Sequence, residues 1–154
     1  MTDAHERAGW DRHPNIGGPA STLLAIHDQF RAASRRIAFS IDGEAPDVGW
    51  VRRAFTPLAM TLHHHHHAEE NMLFPMVLER TGTAPEQLVR DHQIMTDAIA
   101  SVEAALSEGD TTRARATIAS FDEILVEHLA REEALVIPVL LAMTAREAWA
   151  LLHG

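Results

Sequence analysis

Two segments of this 154-residue chain carry the same side chains at the same spacing. Residues 65–75 read His-His-His-Ala-Glu-Glu-Asn-Met-Leu-Phe-Pro, and residues 128–138 read His-Leu-Ala-Arg-Glu-Glu-Ala-Leu-Val-Ile-Pro. At a constant offset of 63 residues, His65 falls on His128, Glu69 on Glu132, Glu70 on Glu133 and Pro75 on Pro138. Each segment has a lone histidine upstream on an apolar stretch: His27 in Leu-Leu-Ala-Ile-His, and His92 in Leu-Val-Arg-Asp-His. On an α-helix, positions i and i+4 lie about 40° apart on one face, so His65 can aim with Glu69, and His128 with Glu132, at one point. With one lone histidine from each of two further helices, the set reaches four imidazoles and two carboxylates, enough for two metal ions. Imidazole suits iron, zinc, copper and nickel, and a carboxylate can bridge two cations and offset their charge.

Each feature alone has an ordinary explanation. A lone histidine on an apolar helix face is more often a hydrogen-bonded core residue, and a single His-x3-Glu pair arises by chance on surface helices. The five-histidine run His63–His67 looks like a purification tag, but it lies mid-chain and grades into a helical sequence. Chance would not place both copies in register with both lone histidines, so the combined pattern is read as metal binding. Glu70 and Glu133 are about 140° from the ligand histidines on the helical wheel, and are read as solvated residues or as supports behind the ligands.

Four helices must position these side chains. Residues 1–19, rich in Gly, Pro, His and charge, are read as an irregular arm preceding a domain over residues 20–154. Ser21 or Thr22 can cap a first helix to about Ile41. A second spans about Trp50–Glu79, interrupted or bent near Pro57 and Pro75. A third covers about Pro85–Ser107, with the proline suited to the first turn. Asp110 or Thr111 can cap a fourth to about Met143, bent near Pro138, and a short tail helix, about Ala145–Leu152, is expected to pack Trp149 against the rest. No stretch alternates like a strand. Short connections between long helices predict an all-α, up-down-up-down four-helix bundle with one ligand element per helix. Leu23, Leu24, Phe30, Leu62, Met72, Leu88, Met95, Leu125 and Leu135 are expected to form an apolar shell around the ligands that controls water access.

Composition narrows the function. The length fits one domain able to bury about 68–70% of its unfolded surface. Net charge is −9, all 13 basic residues are Arg, and none form a stripe, which argues against a nucleic-acid partner. Zero Cys excludes disulfides and thiolate ligands, and zero Tyr excludes a phenolate ligand or tyrosyl radical. No signal-like or membrane-length apolar run is present, so a soluble, cytoplasmic protein without a membrane partner is expected. Trp10, Trp50 and Trp149 are assigned no redox role.

The His-His-His-His-His-Ala-Glu-Glu-Asn-Met-Leu-Phe-Pro run, together with His27, His92 and His128-Leu-Ala-Arg-Glu132-Glu133, resembles the hemerythrin-like, HHE cation-binding domain over about residues 20–143. The Glu-x-x-His device of ferritin-like di-iron bundles runs in a different order and fits poorly. The resemblance implies two non-heme irons in an oxo- or hydroxo-bridged centre. Glu69 and Glu132 would bridge, with His27, His65, His92 and His128 as terminal ligands. The chain departs from the oxygen carriers of that family at one point. Those have two histidines one turn apart on the third helix, whereas His92 is followed at i+4 by Thr96 and preceded at i−4 by Leu88. His66 is the best substitute for the missing fifth histidine, with His64 and His13 weaker candidates. If no residue fills the place, an extra open metal position favours reactivity over reversible storage.

Two readings follow. In the first, the centre binds and turns over a small oxidant (peroxide, O₂ or nitric oxide) in oxidative or nitrosative stress defence, as a di-iron oxidoreductase with catalase-like peroxide dismutation. In the second, the protein is a non-catalytic sensor, reservoir or carrier for O₂, NO or iron. Sensor members of the resembling family are often fused to signalling or degradation domains, and its iron-centre repair members carry a Cys-containing segment. Neither feature occurs here, and peroxide handling leads. A redox-silent zinc site is a third, structural reading.

Overall fold

The protein is represented by a computed structural model that describes residues 4–153. Every regular element among the described residues is helical: α1 (Ala4–Asp11), α2 (Pro19–Ile41), α3 (Val48–Ala68), a π-helical turn (Glu69–Leu73), α4 (Phe74–Thr81), α5 (Glu86–Glu108), α6 (Thr111–Leu141) and α7 (Ala145–His153). No described helix is long and apolar enough to cross a membrane.

Local chemistry sets the boundaries. Proline occupies the first turn of α2, where its missing N–H costs nothing. Asp47 accepts a hydrogen bond from the Trp50 amide at 2.9 Å and Asp110 from the Arg113 amide at 3.0 Å, capping α3 and α6. Gly82 and Gly109 end α4 and α5 in the left-handed region, at φ 75° and 68°, which a side chain would resist.

The long helices bury one stripe each and enclose two apolar clusters. One contains Phe30, Ile37, Phe55, Leu62, Met95, Ile99, Phe121 and Leu125. The other contains Leu23, Leu24, Phe74, Val77, Leu88, Val136 and Ile137. Along α2 and α5 the chain passes from the second cluster to the first, and along α3–α4 and α6 it passes from the first to the second. Between the clusters, every one of these segments contributes buried His or Glu.

Five sequence expectations are corrected. Neither Ser21 nor Thr22 caps the first helix, because it begins earlier, at Pro19, with Gly18 before it and no side-chain cap. The arm is not wholly irregular, since residues 4–11 form α1. The second helix passes through Pro57 as continuous α3, and its interruption is the π turn just before Pro75. Met72 and Leu135, placed in the apolar shell, are half exposed; Leu135 lies at i+3 from Glu132, about 60° off that inward direction, and Met72 sits in the π turn that begins at Glu69. Trp149 is 63% exposed and stacks on His153 one turn away rather than packing against the bundle.

Candidate metal centre

The motif residues meet in the layer between the two clusters. His66, Glu69, His92 and His128 offer ligand atoms that all lie within 4.8 Å of one another, and so do His27, His65, Glu69 and Glu132. Glu69 belongs to both groups. Its Oε1 is 3.3 Å from His65 Nε2 and 3.4 Å from His92 Nε2. Glu132 spans the same gap, with Oε2 3.3 Å from His128 Nε2 and 3.7 Å from His27 Nε2. The arrangement has a three-histidine side and a two-histidine side, with a carboxylate between them from each copy of the repeated segment.

His66 is the fifth histidine of the cluster. It is buried and stacked on His92 with ring centroids 3.8 Å apart. His64 is exposed, and His13 accepts a hydrogen bond from the Asn15 amide outside the cluster.

The donor set fits cations and little else. Among the described residues, nine buried side-chain atoms have no hydrogen-bond partner: Nε2 of His27, His65, His66, His92 and His128, and both carboxylate oxygens of Glu69 and Glu132. Leaving one buried polar group unsatisfied costs about 1–3 kcal/mol, more if charged, so nine converging orphans mark a place built for something positive. Burial and the neighbouring Glu132 carboxylate push the Glu69 carboxyl up to about 12. Against the upward push of burial, Glu69 and His128 hold Glu132 below the ordinary carboxylate range. Two carboxyls this close and this buried share a proton unless cations replace it. Burial also lowers His65 to about 4 and His66 to about 2, with neighbouring imidazoles adding to the effect. Both therefore present neutral, metal-binding nitrogens at physiological pH.

Behind the cluster, three ring nitrogens meet carboxylates. His27 Nδ1 lies 2.9 Å from Glu133 Oε2, His92 Nδ1 2.8 Å from Glu70 Oε1, and His128 Nδ1 3.1 Å from Asp91 Oδ2. Such contacts fix tautomer and ring direction, leaving Nε2 to face the centre. Glu70 and Glu133 thus stand behind histidines of the cluster. The supports cross over: Glu133 of the second segment holds the lone histidine of the first half, and Glu70 holds that of the second. Asp91 was missed by sequence reasoning. Its one signal is its place directly before His92, and Arg131 at 3.0 Å and Gln87 at 2.9 Å secure it.

A small pocket of about 180 Å³ leads to the two-histidine side. Leu23, Ile26, Met72, Leu73 and Leu151 line it together with His65 and Glu69.

The family model of the hemerythrin HHE cation binding domain matches residues 41–140. The match begins beyond His27, whose place beside the other side chains comes from the fold of α2. No curated protein and no solved structure gives a significant match.

Proposed function

Since the chain belongs to the hemerythrin HHE cation-binding family, we propose that its centre holds two non-heme irons and handles a small oxidant. On this reading His66, His92 and His128 bind one ion, His27 and His65 the other, and Glu69 and Glu132 bridge them. Residues 20–154 act as one up-down-up-down four-helix domain carrying residues 1–19 as an arm, and the protein works in the cytoplasm. The oxidant would be peroxide, O₂ or nitric oxide, and its turnover would serve oxidative or nitrosative stress defence.

The observation that carries this reading is the asymmetry of the donor set together with the pocket. One ion would take three imidazoles and the other two, and the apolar pocket reaches the side with fewer ligands. A volume of about 180 Å³ holds a few water-sized molecules, so it passes diatomics and peroxide and excludes larger metabolites. Iron there would supply reversible electron transfer and an open coordination position. The chain's own groups do the rest. Glu133, Glu70 and Asp91 fix the imidazoles, Leu23 and Ile26 limit water, and Glu69 gives up its proton as cations arrive.

One observation favours the non-catalytic alternative, a carrier, reservoir or sensor. Among the described residues, Thr22 is the one polar side chain lining the pocket apart from His65 and Glu69. No separate acid or base stands there to move protons for peroxide dismutation.

Metal analysis and visible spectroscopy of protein from iron-replete cells, before and after peroxide, test both readings. Two irons per chain with catalytic O₂ release supports turnover. Two irons with a stable new absorption and no O₂ release moves the assignment to ligand binding. Zinc alone, or no metal, refutes the iron reading.

A further inference from the structure

The surface of this acidic chain carries a basic, aromatic groove. It lies along α2, has a volume of about 790 Å³, and is lined by Asp28, Arg31, Arg35, Arg36, Phe39 and, from α3, Trp50. That volume is within the range of small-molecule sites. Phe39 is 85% exposed, although Phe30, Ile37 and Ile41 of the same helix are buried. Arg35 and Arg36 form no ion pair with any described residue, in a chain whose net charge is −9. The one acid in the groove, Asp28, is already neutralised by Arg7 at 2.8 Å and Arg31 at 3.2 Å. Two open rings and two free guanidiniums are not needed by the fold, and they complement a flat ring system carrying negative charge.

The groove wall is also wired to the metal centre. Arg31 Nη2 donates to Glu133 Oε2 at 2.6 Å, and that same oxygen lies 2.9 Å from His27 Nδ1. His27 Nε2, on the far side of the ring, is one of the orphaned atoms of the cluster. A continuous hydrogen-bonded path therefore runs from the groove to a nitrogen that faces the centre.

We propose that this groove binds a planar aromatic molecule bearing a phosphate, and that Arg31 couples its occupancy to His27. The ring stacks on Phe39 and Trp50, and the phosphate pairs with Arg35 and Arg36, whose planar forks match its oxygens. A phosphate beside Arg31 competes with Glu133 for the guanidinium. Glu133 Oε2, no longer shared, closes on His27 Nδ1 alone and so resets the direction of the ring whose Nε2 faces the centre. The linkage is reciprocal, so a loaded centre tightens the groove by the same factor, about fivefold at the low end of such couplings. The coupling half rests on the proposed function, whereas the binding half does not.

Flavin mononucleotide is the probe, titrated into the full chain with and without metal and read by quenching of flavin fluorescence. Riboflavin supplies the ring without phosphate, and inorganic phosphate supplies the anion without a ring. The expected result is one saturable mononucleotide site per chain, with riboflavin about tenfold weaker or more, the cost of one lost charge-assisted contact. Arg35→Gln with Arg36→Gln erases the preference over riboflavin, and Phe39→Ala weakens both ligands. Arg31→Gln still binds the probe but removes the difference between metal-free and loaded protein. Arg35, Arg36 and Phe39 are at the surface and Arg31 is partly buried against Glu133, so far-ultraviolet dichroism checks that each variant folds. Should the protein load no metal, mononucleotide binding to the metal-free chain still decides the groove. The proposal is overturned by no saturable binding, by equal affinity for mononucleotide and riboflavin, or by indifference to the arginine pair. It is equally overturned if no probe binds and Phe39 instead holds a dimer together or attaches the chain to anionic vesicles.

Discussion

The second copy of the ligand segment, residues 128–138, lies within unbroken α6, whereas the first, residues 65–75, opens into a π turn over Glu69–Leu73. The residues behind the copies differ as well. His128 leans on Asp91, which Arg131 and Gln87 hold in place. Asp91 directly precedes His92, and the residue in the same place before His27 is Ile26. Ile26 gives His65 no carboxylate and instead lines the pocket that reaches it. One motif has thus been set in two environments, one closed and braced, the other apolar and accessible. A ligand motif settles where a metal can sit, and its surroundings settle what else can reach it.

The largest effect should come from the groups the two sides share. Glu132→Ala and Glu69→Ala each remove a carboxylate facing both sides, and each leaves the other carboxylate among imidazoles alone. Both variants should lose metal on both sides, with affinity falling more than about 100-fold, beyond the 10–100-fold expected for an outer support. Metal analysis after equilibrium dialysis checks this. Full retention of one ion in either variant would break the picture of shared carboxylates.

Next come the supports. Asp91→Asn should weaken metal on the three-histidine side about 10–100-fold and leave the other side near wild type, as read by competition with a chelator. Ile26→Asp tests the converse. It offers His65 a carboxylate and puts charge in the pocket, so the two-histidine side should hold metal more tightly while small ligands enter more slowly. Equal responses of both sides to Asp91→Asn would dissolve the contrast.

Protonation separates the copies in sign. Burial lowers His65 to about 4, while Glu132 and Asp91 hold His128 above its ordinary value against the downward push of burial. In metal-free protein between about pH 4 and 6.5, unfolded His65 binds a proton that native His65 does not, so its contribution makes stability rise with pH, by roughly 3 kcal/mol in all. His128 contributes stability that is present below about pH 6.5 and is lost as pH rises through its raised value. Urea unfolding of the metal-free chain from pH 4 to 8 should therefore tilt in opposite senses for His65→Gln and His128→Gln. Parallel shifts would show that the two rings share one environment.

Much of this was legible in the sequence because the signals were periodic. The i, i+4 pairs of His65 with Glu69 and His128 with Glu132 need only helical geometry, and capping by Asp110 is local chemistry, whereas the cap at Asp47 was not read. His66 was readable as the best substitute for a fifth histidine because it lies about 100° from His65 and about 60° from Glu69 on the wheel. What tertiary packing decides was hidden. Asp91 looks like any acid on α5 until α6 brings His128 beside it, and Glu133 looks solvated until α2 covers it with His27 and Arg31. Met72 and Leu135 read as core because hydrophobicity does not reveal how much of a helix its neighbours cover.

The π turn is the least legible feature. Pro75 has no N–H and crowds the carbonyl four residues back, which encourages a helix to open there. Pro138 occupies the equivalent place within continuous α6, so proline alone does not dictate the turn. The copies differ at the residue four before each proline, Asn71 in the first and Ala134 in the second. Asn71 Nδ2 donates to the His67 carbonyl at 2.7 Å, satisfying an oxygen at the start of the opened ladder. Asn71→Ala should therefore cost about 0.5–1.5 kcal/mol, the usual worth of one hydrogen bond, and a few degrees of Tm at this chain length. Metal content should hold, because Asn71 touches none of the cluster. Hydrogen exchange at residues 67–73 should quicken, while Ala134→Asn in α6 should leave exchange there unchanged. Unaltered exchange in Asn71→Ala would return the cause of the turn to packing around Glu69 and Phe74.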